Sequence, residues 1–101
     1  MEDSLIIELY FKRAEEAIKE TDIKYHHYCA NIGYNILKNY QDTEECINDC
    51  YFNAWNVIPP TRPNSLQGFL GKIMRNLSDQ PEYHVYNTCI GVDEWLFYFI
   101  P

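Results

Sequence analysis

The chain has 101 residues, 47% hydrophobic and 16% aromatic, which is enough apolar material for one packed domain and too much for wholesale disorder. Fifteen acidic residues against eight Lys and Arg give a formal net charge of −7, which excludes strong unaided DNA binding through phosphate neutralisation and favours a basic protein partner. No apolar run approaches the ~20 residues of a membrane helix, and MEDSLIIELY lacks the basic start of a signal peptide, so the expected location is cytoplasmic with no membrane partner.

A short first helix is expected after Ser4 or Asp3 as cap, with Leu5, Ile6, Leu9 and Tyr10 as its apolar stripe. Lys12 and Arg13 follow and suit a helix C-terminus. A long second helix is expected from Ala14 to Leu37. Ala14, Ala17, Ile18, Thr21, Tyr25, Tyr28, Cys29, Ile32 and Ile36 keep to one face over about six turns. Gly33 inside it costs about 1 kcal/mol, and its expected use is close approach of a neighbouring helix or a mild kink.

After a turn from Lys38 to Gln41, the stretch from Gln41 to Pro60 carries the clearest helical pattern. Asp42 is the expected N-cap, with Glu45 at capping-box spacing. Cys46, Ile47, Cys50, Tyr51, Ala54 and Trp55 recur on one face, and Tyr51 and Trp55 are expected to be largely buried against the second helix. Glu44, Glu45, Asn48, Asp49 and Asn53 fall on the other face. Pro59 and Pro60 stop the helix.

The connection Val57–Ser65 holds three prolines. It is either a rigid linker or a frame that fixes exposed side chains such as Arg62 and Asn64. Asn64 or Ser65 caps a fourth helix whose core face is Leu66, Phe69, Leu70, Ile73 and Leu77, with Gly68, Gly71, Lys72, Arg75 and Asn76 mostly elsewhere. Lys72 and Arg75 are surface neighbours that either complement the helix dipole or meet a phosphate backbone. Beyond Ser78 the helical period is lost, and the apolar ending from Trp95 is a strand, a short helix or an exposed sticky segment.

Cys29, Cys46, Cys50 and Cys89 read as free thiols, with Cys46 and Cys50 as small core residues. His26, His27 and Cys29 lack the spacing of a metal site, so no metal and no other cofactor is expected. The chain has no phosphate-binding glycine loop and no hydrolase motif, and nothing orients a Cys29–His26 nucleophile, so an enzyme is not expected.

The central stretch resembles the second region of bacterial RNA polymerase sigma factors of the extracytoplasmic-function type. That family reads Ala-Glu-Asp-Leu-Val-Gln-Glu-Thr-Phe-Leu-Arg-Ala-Trp where this chain runs from Thr43 to Trp55, with Ala54 and Trp55 identical. The fourth helix resembles the family's next element, with Ile73, Arg75, Asn76 and Leu77 in step. The resemblance covers roughly residues 5–78 and implies an all-α bundle of three to four helices over residues 1–78. Residues 79–101 carry no family match and are expected to be an irregular tail, an unrelated or out-of-frame ending on a truncated domain.

The resemblance implies a transcription initiation factor domain. Its polar face would dock on the beta prime clamp of core RNA polymerase, which assigns Glu44, Glu45, Asn48 and Asp49 to polymerase binding. Promoter DNA would be met only within the holoenzyme, at the −10 element. Arg62, Asn64 and Ser65 would capture a flipped base, and Lys72 and Arg75 would track the backbone. An anti-sigma factor is a further implied partner. The family's basic run does not follow the fourth helix, and the resemblance covers no second DNA-reading domain, so a truncated domain is expected. The alternative is therefore an inactive remnant or competitor that docks on polymerase without initiating.

Overall fold

The three- and four-residue spacings resolve, in a computed structural model that describes residues 1–79, into four helices: α1 Asp3–Phe11, α2 Glu16–Leu37, α3 Tyr40–Val57 and α4 Leu66–Ser78. No strand occurs among the described residues, and the architecture is an all-α bundle. The expectations for the ending from Trp95 and for Cys89 lie outside the described residues.

Contacts between named residues give the topology. Asp3 bonds Tyr25 while Tyr10 bonds Thr21, so α1 and α2 are antiparallel. Tyr51 bonds Asp22 while Thr43 approaches Gly33, so α2 and α3 are antiparallel as well. Cys50 bonds the Leu70 carbonyl while Cys46 bonds Ser78, which makes α3 and α4 the third antiparallel pair.

The buried row of α2 is Ala17, Thr21, Tyr25, Cys29, Gly33 and Leu37, a four-residue repeat. Each such step overshoots a full turn by about 40°, so the row winds around the axis and meets α1 first, then α3 and α4. This winding corrects the expected stripe at its C-terminal end, where Ile36 is exposed and Gly33 and Leu37 take its place. Gly33 serves close approach, because a Cβ there would stand 2.9 Å from Met74 Cε and 3.1 Å from Thr43 Cγ2. The start of α2 also moves, from Ala14 to Glu16. The α1–α2 turn requires Arg13 in the left-handed region, at φ 57°.

The face of α1 is rotated from the expected stripe. Ile6, Ile7 and Tyr10 are buried, whereas Leu5 is 53% exposed. The segment LIIELYF is apolar at almost every position, so its own period does not select a face. Neither Asp3 nor Ser4 caps α1. The Asp3 carboxylate instead accepts from Lys24 Nζ at 2.7 Å and from the Tyr25 hydroxyl at 2.8 Å. Burial pushes the Asp3 carboxyl up, but the Lys24 and Tyr25 hydrogen bonds outweigh it and hold the group below its ordinary value. Deeper in, Thr21 donates to the Ala17 carbonyl at 2.7 Å, which uses its one proton, so the Tyr10 hydroxyl is the donor in their 2.8 Å bond.

Asn39, not Asp42, caps α3, accepting from the Asp42 amide at 2.8 Å. The α2–α3 turn is therefore only Lys38 and Asn39, with Lys38 in the left-handed region at φ 56° closing α2 onto the Tyr34 carbonyl. Asn53, expected on the polar face, is 4% exposed, and its amide donates to the Asp49 carbonyl. The helix ends at Val57, and Ile58 is extended, as the residue before a proline should be. Ser65 caps α4, accepting from the Gly68 amide at 3.0 Å. The expected core face of α4 is buried, joined by Met74 and by Gly71, which was expected elsewhere. The space of a Gly71 Cβ is filled by the Tyr28 hydroxyl. Cys29, Cys46 and Cys50 are buried free thiols that pack the interior.

Candidate functional site: an acidic groove and a loop hollow

Antiparallel pairing of α2 and α3 leaves an open groove of about 630 Å³ along their outer side. Ile18, Ile47, Tyr51 and Trp55 supply its apolar floor. The rim is polar and half of it is acidic, with Glu15 at the N-terminus of α2 and Lys19, Asp22 and His26 within it facing Glu44 and Asn48 from α3. The two rims are tied together. Tyr51 donates its hydroxyl proton to Asp22 Oδ1 at 2.9 Å, and the same oxygen lies 2.9 Å from His26 Nδ1. The other ring nitrogen of His26 lies 3.4 Å from Glu44 Oε2. Burial, then the bond to Asp22, pushes the Tyr51 phenol well above its ordinary value, so the phenol stays a donor.

Of the four residues assigned to polymerase docking, two line this groove. Glu44 and Asn48 line the groove, whereas Glu45 and Asp49 are absent from its lining and half-buried. They stand about 100° further around the helix. Tyr51 is buried as expected, at 6% exposure. Trp55 is corrected: it is only partly buried, and its ring meets Tyr10 of α1 with centroids 6.2 Å apart. Arg13 covers it, with the guanidinium carbon 3.8 Å from the ring centroid. Arg13 Nη1 also donates to the Trp55 and Ile58 carbonyls, at 2.7 and 2.8 Å. It thus satisfies the C-terminus of α3 rather than that of its own helix.

The second concavity lies at the α3–α4 connection and encloses about 550 Å³. It brings together Arg62, Asn64, Ser65 and Lys72, four of the five residues assigned to DNA; Arg75 is exposed but outside it. Thr61, Pro63, Gly68 and Phe69 complete the wall. Arg62 is engaged within the fold. Its Nη1 lies 2.9 Å from Glu8 Oε1, and its guanidinium carbon is 4.3 Å from the Phe11 ring centroid. The Ser65 hydroxyl is committed to capping α4. The hollow is lined by two cations, Arg62 and Lys72, with amide and hydroxyl groups and one aromatic wall, a set suited to a planar or anionic group.

His26 and Cys29 do not converge, because His26 faces Asp22 and Glu44 while Cys29 is in the core. Among the described residues no three His, Cys, Asp or Glu side chains gather to hold a metal, and no helix is long and apolar enough to cross a membrane. Sequence reasoning missed Asp22, Glu8 and Phe11, and weighed His26 only beside Cys29 and His27 rather than in the groove. Asp22 and His26 were detectable as an i,i+4 acid–base pair, whereas the contacts of Glu8 and Phe11 with Arg62 have no local signal. No protein-family model, curated protein or solved structure matches the chain.

Proposed function

We propose that this chain is a sigma-type initiation module. It holds core RNA polymerase through the α2–α3 groove and, within that complex, engages the −10 element through the α3–α4 loop. The carrying observation is the groove itself, an apolar floor bordered by Glu15, Asp22 and Glu44. An amphipathic helix with basic flanks is the complementary shape and charge, and the clamp coiled coil of beta prime is such an element. Of the acidic and amide candidates on α3, this reading gives docking to Glu44 and Asn48 and leaves Glu45 and Asp49 outside it. The loop hollow supports the second half, since a flipped base needs a framed pocket with hydrogen-bonding edges. Arg75 would then follow the backbone beyond it. The module is a binding unit working in the cytoplasm, where an anti-sigma factor would compete for the same groove.

The test is retention of core polymerase on the immobilised full chain. Wild type should retain it, and Glu44→Lys should lower that retention. Equal retention by both would sink the groove assignment. A second reading, docking without initiation, is favoured by the pairing of Arg62 with Glu8 and by the net charge of −7. Run-off transcription separates the two, because a transcript from a −10 promoter excludes the pure competitor.

A further inference from the structure

Arg62 belongs to two places at once. It lines the loop hollow, yet one of its guanidinium nitrogens, Nη1, is paired with a carboxylate of α1. The two contacts it makes with α1 differ in kind. The Phe11 ring lies against the guanidinium face, and that contact leaves the N–H edge free to serve a ligand. Glu8 Oε1 sits at Nη1 of that edge, and a nitrogen so paired serves an incoming phosphate less well.

We infer that Glu8 is a latch on Arg62: in the free chain its carboxylate holds the guanidinium edge, and an anionic group of single-stranded nucleic acid entering the loop hollow displaces it while Phe11 keeps the guanidinium plane in place. The inference rests on the reading of the loop as a nucleic-acid contact and adds a residue of α1 that controls it. Both side chains of the pair are about half exposed, at 54% and 48%. Exposed pairs are weak, so the latch is shallow and a ligand can open it. Glu8 also places a negative charge beside any incoming phosphate. Both effects make the free chain a poorer binder of single strands than its loop alone would be.

The experiment titrates the full chain with a fluorescent single-stranded deoxyoligonucleotide at low salt, using wild type, Glu8→Gln, Arg62→Ala and the double variant. Glu16→Gln serves as a control that removes one negative charge from an exposed site on α2. Glu8→Gln should tighten binding about threefold, the scale of an exposed ion pair. Glu16→Gln should change it by less, and the gain should vanish when Arg62 is Ala. Inorganic phosphate at matched ionic strength should compete weakly, and full competition would move the ligand from a nucleic-acid strand to free phosphate and overturn the inference. An equal gain from Glu8→Gln in the Arg62→Ala background, an equal gain from Glu16→Gln, or no saturable binding by any variant also overturns it. The loop reading fails separately: if Arg62→Ala leaves holoenzyme promoter opening intact, that reading falls. If Arg62→Ala abolishes opening while Glu8→Gln changes nothing, only the latch falls.

Discussion

The Arg13 guanidinium stacks on the Trp55 ring at 3.8 Å while one of its nitrogens bonds the Trp55 carbonyl at 2.7 Å, so one residue of the α1–α2 turn grips both the side chain and the backbone of another at the end of α3. Terminal carbonyls of a helix lack intrahelical partners, and a cation there also meets the negative end of the dipole. Arg13→Ala should destabilise the chain by about 1–2 kcal/mol, less than a buried charged contact because the site is partly wet. Arg13→Lys should fall between, since an ammonium keeps the charge but loses the flat stack. Urea denaturation measures both, and equal midpoints for wild type and Arg13→Ala would rule out the grip.

Lys38 closes α2 in the left-handed region at φ 56°, a position that glycine occupies without strain. Lys38→Gly should raise stability by about 0.5–1 kcal/mol, the relieved strain exceeding the added freedom of the unfolded chain. A lower thermal midpoint would show that Lys38 makes a contribution beyond its backbone.

Gly33 faces Met74 and Thr43 from the middle of the bundle. The Met74 methyl can swing away, but Thr43 is fixed by its own bond to the Asn39 carbonyl at 2.7 Å. Gly33→Val should therefore cost about 3 kcal/mol through overpacking, despite removing a glycine from a helix. Chemical denaturation with a loss below 1 kcal/mol (roughly the helix-propensity scale) would mean that α4 stands further from α2.

Stability should depend on pH at both extremes. The Asp3 carboxyl is held below its ordinary 3.8 in the fold, so its contribution is present above that value and is lost as pH falls through the folded one. Asp3→Asn should flatten the acid limb. Tyr10 and Tyr25 are both pushed up to about 12 from 10.0, chiefly by burial, so their contributions are complete below pH 10 and are lost as pH rises through 12. Tyr10→Phe should make the alkaline limb shallower. Unchanged limbs in both variants, followed by circular dichroism, would contradict these assignments.

Charge reversal should distinguish the two stripes of α3. Glu44→Lys with Glu15→Lys changes the groove rim and should lower polymerase retention about tenfold, the scale of lost charge complementarity at an interface. Glu45→Lys with Asp49→Lys lies outside the groove and should lower it much less, provided that thermal melts show the bundle intact. The reverse order would move the docking surface to the other stripe.

The sequence by itself narrowed the fold to three or four helices, marked most of the core face of α4 and the stop of α3 before Pro59, and left Gly33 between close approach and a kink. Each of these follows from local periodicity, proline chemistry or the absence of a side chain, and each is read within a few residues. Local signals failed where two choices were locally equal. The segment LIIELYF of α1 is apolar at every position but Glu8, and Asn39 and Asp42 are both competent caps, so packing decided which was used. Only the tertiary structure decided the partners of Arg13, Arg62 and Trp55 and the division of the acidic residues of α3 into two stripes. Those outcomes depend on which helices meet, and contacts between residues distant in the chain leave no trace in the spacing of either segment.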